Sequence, residues 1–149
     1  MARGQSTKKR REVLLKKFHR LYRPYPSSNK RCIYCGLGID ITRDHVPPLS
    51  SLDALGTNYF EDNGLTLWLV NCCRQCNMVL GATEWLHTIS ERRNHIAAFI
   101  KRRYKKQLDG AAWSMDELEQ LGIGLRNYVE AKSDQHTIAR RRLIWATGF

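Results

Sequence analysis

Cys32-Ile33-Tyr34-Cys35 and Cys73-Arg74-Gln75-Cys76-Asn77 bracket the run Thr42-Arg43-Asp44-His45-Val46-Pro47-Pro48. A tight Cys-x-x-Cys turn lets two sulfurs converge on one ion. Two such pairs can close a tetrahedral zinc site and tie two distant stretches of chain together. Cys72 adjoins Cys73, but it is Cys73 that stands at the right interval from Cys76, so Cys72 reads as a buried core thiol. On such a scaffold Asp44 and His45 would stand beside Asn77, giving one carboxylate, one imidazole and one amide. Carboxylate and amide oxygens suit a hard divalent cation such as magnesium, manganese or nickel. A neutral imidazole, with a reference pKa of about 6.5, accepts a proton from water at cellular pH. An isolated Asp-His pair reads more simply as a helix cap next to a surface histidine. The two flanking knuckles and Pro47-Pro48 turn the reading toward chemistry.

The bulk composition narrows the function classes. The chain has 149 residues, one domain's worth with an extension at each end, and 42% of them are hydrophobic. Twenty-five Lys and Arg against 14 Asp and Glu leave a net charge of +11, which favours a polyanionic partner such as duplex DNA. No apolar run approaches the roughly 18–20 residues of a spanning helix, which argues against a membrane. The basic N-terminus is not followed by an apolar signal stretch. Five cysteines, four of them in pairs, fit zinc in a reducing compartment better than disulfides. The expectation is an intracellular nucleic-acid-binding protein.

Along the chain, residues 1–29 read as a basic N-terminal arm and helix, 30–87 as the zinc-supported core, and 88–149 as a helical extension. Met1 to Arg11 is expected as a disordered arm ending in Lys8-Lys9-Arg10-Arg11. Leu14, Phe18 and Leu21 recur at helical spacing within Glu12 to Tyr22, and Pro24 and Pro26 stop that helix. Ile39 to Arg43 reads as a strand presenting Asp44 and His45 at its end, and Leu65 to Val70 as a second strand. Pro47 to Asn63 lacks periodicity and reads as a loop, and Asn77 should open a helix. Thr88-Ile89-Ser90-Glu91 has capping-box spacing ahead of Ile96, Ile100, Tyr104 and Leu108. Gly110 is a plausible stop, Ser114 to Glu117 caps a shorter helix, and Leu125 to Trp145 forms the last one. Trp85, Trp113 and Trp145 are expected in the core.

The order Cys-x-x-Cys, Asp-His-Val-x-Pro, Cys-x-x-Cys-Asn resembles the HNH endonuclease family, including small phage or plasmid types. The resemblance covers about residues 31–81. It implies an α+β fold with a ββα-metal, treble-clef-like core, and hydrolysis of DNA phosphodiester bonds that leaves a 5′-phosphate. It also implies His45 as general base, Asp44 and Asn77 as ligands of the catalytic divalent metal, and Cys32, Cys35, Cys73 and Cys76 as ligands of structural zinc. Nine residues before Asn77, where the family usually has an asparagine, this chain has Trp68. Orientation of His45 is then left to Asn71, to Asn63 or to a backbone carbonyl.

Arg43, Arg74, Lys101, Arg102, Arg103, Lys105 and Lys106 are the candidate phosphate contacts, although a charge run is also how a solvated helix face looks. Arg92 and Arg93 read as further polar positions of the same helix. Two alternatives share the scaffold: a catalytically inactive zinc-stabilised nucleic-acid-binding or adaptor protein, and a regulator whose helical tail contacts another protein. A homodimer is left open, since cutting both strands takes two sites or two visits.

Overall fold

The computed structural model describes residues 3–27, 29–81 and 83–148. Strands β2 (Ile41–Val46) and β3 (Trp68–Cys73) run antiparallel, with Asp44 opposite Val70 and His45 opposite Leu69. The two-residue strand β1 (Arg23–Pro24) adds in parallel to the other edge of β3, giving the order β1-β3-β2. Pro24 has no N–H to give a ladder, so an edge is where it belongs. The flanking amides do the pairing, Arg23 to the Leu67 carbonyl and Tyr25 to that of Leu69.

Alternation along the strands separates two hydrophobic cores. Val46, Val70 and Cys72 point into one, with the four paired cysteines, Tyr34, Leu80, Ile96, Ile100 and Ala146. On the opposite face Leu69 packs against Leu14, Phe18, Tyr22, Leu52 and Phe60. Each fully buried side chain of this size contributes about 1.5–3 kcal/mol.

Helix α1 (Arg3–Phe18) covers the second core and ends in a 3-10 turn (His19–Leu21). It begins well before the expected Glu12, because Lys and Arg are good helix formers and no proline interrupts the basic run that Leu14 and Phe18 anchor. The expected arm is therefore helical from Arg3, while Met1 and Ala2 lie outside the described residues. The expected loop also proves structured. It holds α2 (Leu49–Leu55) and α3 (Thr57–Asp62), joined at Gly56, whose φ of +81° suits glycine. Leu52 and Phe60, both fully buried, hold these short helices down.

Strand β2 starts later than expected and carries Asp44 and His45 within it, and β3 extends through Cys73 rather than ending at Val70. Helix α4 (Arg74–Leu80) starts at the second Cys-x-x-Cys turn itself, not at Asn77. The Cys73 sulfur caps it, accepting the Cys76 amide at 3.5 Å.

Both capping signals are realised. Thr88 accepts the Glu91 amide ahead of α5 (Ile89–Arg103), and Ser114 and Glu117 form a reciprocal capping box on α7 (Met115–Glu119). A one-turn helix α6 (Lys105–Leu108) follows the break at Tyr104, and α8 (Ile123–Thr147) closes the chain. Ile96, Ile100 and Ala146 share the core of the cysteines, so α5 and α8 belong to the same hydrophobic unit. Trp85 and Trp113, expected inside, are 66% and 41% exposed in irregular segments beyond both cores. No helix among the described residues is long and apolar enough to cross a membrane.

Candidate functional site

The sulfurs of Cys32, Cys35, Cys73 and Cys76 all lie within 4.8 Å of one another and all four residues are buried, a cluster that can hold a metal ion. A tetrahedral ion with bonds of about 2.3 Å sets its sulfurs about 3.8 Å apart. The Cys35 and Cys73 sulfurs stand 3.7 Å apart, so the donor set fits. Hydrogen bonds from Cys32, and then from Cys73 and Cys76, lower the Cys35 thiol well below its ordinary range. The Cys35 neighbour in turn pushes the Cys32 thiol up to about 12. A second thiolate beside the first is repelled until a cation joins them, so loading a metal releases protons. Cys72 packs in the core outside this cluster, its thiol directed to the Cys73 carbonyl.

The first knuckle is tied down from two sides. The Ile33 amide donates to the Asn71 carbonyl of β3 at 2.9 Å. The Ile33 carbonyl accepts from the Arg93 guanidinium of α5 and, at 3.0 Å, from the Trp145 indole of α8. Trp145 lies so close to Gly36 that an added Cβ would meet its ring at 2.7 Å, and Gly36 itself has a φ of +75°. Only glycine fits there.

Asp44 and His45, adjacent in β2, face opposite cores. Asp44 is buried, and its carboxylate is taken. Arg92 reaches both its oxygens through Nη2, at 2.9 and 3.1 Å, and Oδ2 again through Nε at 3.2 Å, while the Tyr34 hydroxyl donates to Oδ2 at 2.6 Å. Burial opposes the charge on Arg92, and Asp44 more than restores it. Burial, then the Asp44 charge, holds the Tyr34 hydroxyl far above its ordinary pKa.

His45 lies against Tyr22, edge to face at 4.7 Å, and its Nε2 is 2.8 Å from Nδ1 of His19, just beyond α1. Burial, then the charges of His19 and Arg11, lowers its pKa to about 4, so at neutral pH the ring is uncharged. The unfolded ring titrates near 6.5. Between about 6.5 and 4 the unfolded chain binds the extra proton, so stability falls as pH falls through that window. His45→Gln should remove this part of the acid sensitivity. Urea midpoints of the two proteins would then converge as pH drops from 6.5 to 4.

Asn77 turns to the Asp44 face of β2, its amide donating to Thr42 Oγ1 at 2.9 Å and toward the Arg43 carbonyl. Asn77 thus ties α4 to β2 at Thr42 and Arg43, while Asp44 bonds Arg92 and Tyr34 on one face of the strand and His45 meets His19 on the other. Neither asparagine considered for His45 touches it among the described contacts. Asn71 pairs with Arg43, Asn63 donates to the Tyr59 carbonyl, and Trp68 stacks edge to face on Tyr25. Arg43, Arg74, Lys101, Arg102, Arg103, Lys105 and Lys106 are all exposed.

Comparisons with protein-family models, with curated proteins and with solved structures give no match. Two residues at the site escaped the sequence reading. Arg92 looked like one more solvated cation, yet it lies four residues before Ile96 and so continues the apolar Ile96–Ile100 face. His19 carried no periodic signal, because the backbone leaves the α-helix at Phe18.

Proposed function

We propose that the chain is an HNH-type nucleic-acid hydrolase, in which β2, β3 and α4 form the ββα-metal, treble-clef-like unit and the four cysteines hold zinc. The observation that carries the reading is His45, a half-buried imidazole on the strand that pairs with Cys72 and Cys73 of β3. Zinc suits four thiolates at Cys-x-x-Cys spacing and supplies rigidity there. His45 takes the proton of the attacking water. Exposed cations on α1 (Lys8, Lys9, Arg10, Arg11, Lys16 and Lys17) and on α5 and α6 (Lys101 to Lys106) meet the phosphate backbone of DNA.

The divalent cation that the resemblance implies does not fit Asp44 and Asn77 as they stand. Asp44 is enclosed, with Arg92 and Tyr34 on its oxygens, and would have to exchange the guanidinium for the ion. We draw no step through it. The same ion pair favours a second reading, a zinc-stapled binding module that does not cut.

Supercoiled plasmid, incubated with wild type or His45→Ala in magnesium, manganese, nickel or chelator, separates the two. Zinc content and circular dichroism would be matched first. The hydrolase reading expects nicking that falls at least about a hundredfold in His45→Ala, the scale of lost general-base catalysis. Binding at low salt with no cutting under any condition would establish the second reading.

A further inference from the structure

Arg142 of α8 is 5% exposed, and two of its side-chain nitrogens, Nε and Nη2, are enclosed with no hydrogen-bond acceptor among the described residues. A guanidinium does not lose its proton inside a protein, and a buried cation without an anion is costly. The Tyr104 ring covers one side of it, 5.3 Å from Cζ. Its neighbours on α8 identify what lies on another side. Leu143 and Ala146 pack in the core of the cysteines, and Trp145 lies on Gly36 and bonds the Ile33 carbonyl. Burial opposes the charge of Arg142, while the negative charge of a Cys35 thiolate, then Tyr104 and Cys76, sustain it.

Four thiolates around a divalent ion carry a net charge of minus two, and Nε and Nη2 of Arg142 hold three unclaimed N–H groups one helical turn from Ala146, which packs in the core of the cysteines. We propose that Arg142 is the counter-ion of the metal-loaded cluster, donating N–H···S bonds to its sulfurs, Cys35 first. Such outer donors hold thiolate ligands in place and drain charge from the sulfurs. Metal loading and seating of the C-terminal end of α8 then strengthen one another by the same factor. The inference rests on reading the cluster as a zinc site and is independent of any chemistry at His45.

The test uses the full chain as wild type, Arg142→Met and Arg142→Lys. Zinc affinity is read by competition with a chromophoric chelator, and the sulfur-to-metal charge-transfer band is read after cobalt(II) substitution. Arg142→Met should bind zinc about 10–100-fold more weakly, the usual cost of removing an outer-shell partner. Its cobalt band should move to lower energy as the sulfurs become better donors. Arg142→Lys, which keeps the charge without the planar fork, should fall between. A folded Arg142→Met with wild-type affinity and an unmoved band would overturn the proposal. If the methionine variant does not fold, Arg142→Lys decides, and wild-type affinity there also overturns it. A wild-type protein that takes up neither zinc nor cobalt would instead sink the zinc reading, and this inference with it.

Discussion

Replacing Asp44 with alanine should cost about 3–5 kcal/mol of folding stability, the usual loss when one partner of a buried ion pair is removed. Arg92 would keep its charge at 2% exposure with both carboxylate oxygens gone, and Tyr34 would lose its acceptor. A domain of this size holds roughly 5–15 kcal/mol in all, so the variant would sit close to unfolding at room temperature. The pair itself is worth much less than its disruption. Asp44→Leu combined with Arg92→Met, two apolar residues in place of two charges, should recover most of the loss. Urea midpoints for the single and double variants supply the comparison. A single variant within 1 kcal/mol of wild type would mean that water or another group satisfies Arg92, and Asp44 would again be available to a cation.

With zinc in the cysteine cluster, as proposed, metal removal is the second large effect. Structural zinc in small domains contributes apparent free energies of about 10–16 kcal/mol at pH 7, as much as or more than a whole domain's net stability. Chelation should therefore melt the core that contains Cys32, Cys35, Cys73 and Cys76, with Tyr34, Val70, Ile96 and Ile100 losing their packing together. Cys76→Ser should fail to fold at zinc concentrations that saturate wild type. Cys72→Ser, altering a core thiol outside the cluster, should still bind the metal at a far smaller cost. Circular dichroism followed against bound zinc during a chelator titration measures this. Retention of the native spectrum after the last zinc is removed would show that the core stands without it.

What could be read ahead of the structure was local. The knuckles follow from cysteine spacing, and Thr88 and Ser114 mark helix starts because a cap is a bond between neighbours three residues apart. Helices α2 and α3 were not legible: each is under two turns long, and Leu52 and Phe60 lie on opposite sides of Gly56, so no period develops. Strand β1 is two residues long, one of them proline, and exists only because β3 lies beside it. The candidate site divides the same way. Motif spacing located Asp44, His45 and Asn77, but what each one touches was set by residues far off in sequence. Arg92 lies 48 positions from Asp44, and His19 lies 26 from His45. The four-residue step from Arg92 to Ile96 marks which cation turns inward, but not the carboxylate that it meets there.

The indole of Trp145 bonds a carbonyl 112 residues upstream. A contact that spans so much chain forms late, because the loop it closes must lose its freedom before the bond returns anything. During synthesis the first knuckle, and then the second, are complete while α8 has not yet been made. Without α8, Gly36 and the turn that carries Cys32 and Cys35 lack the indole that covers them in the finished fold. The first knuckle therefore owes its cover to the far end of the described chain, and truncation ahead of Trp145 should strip that cover while leaving all four cysteines in the sequence.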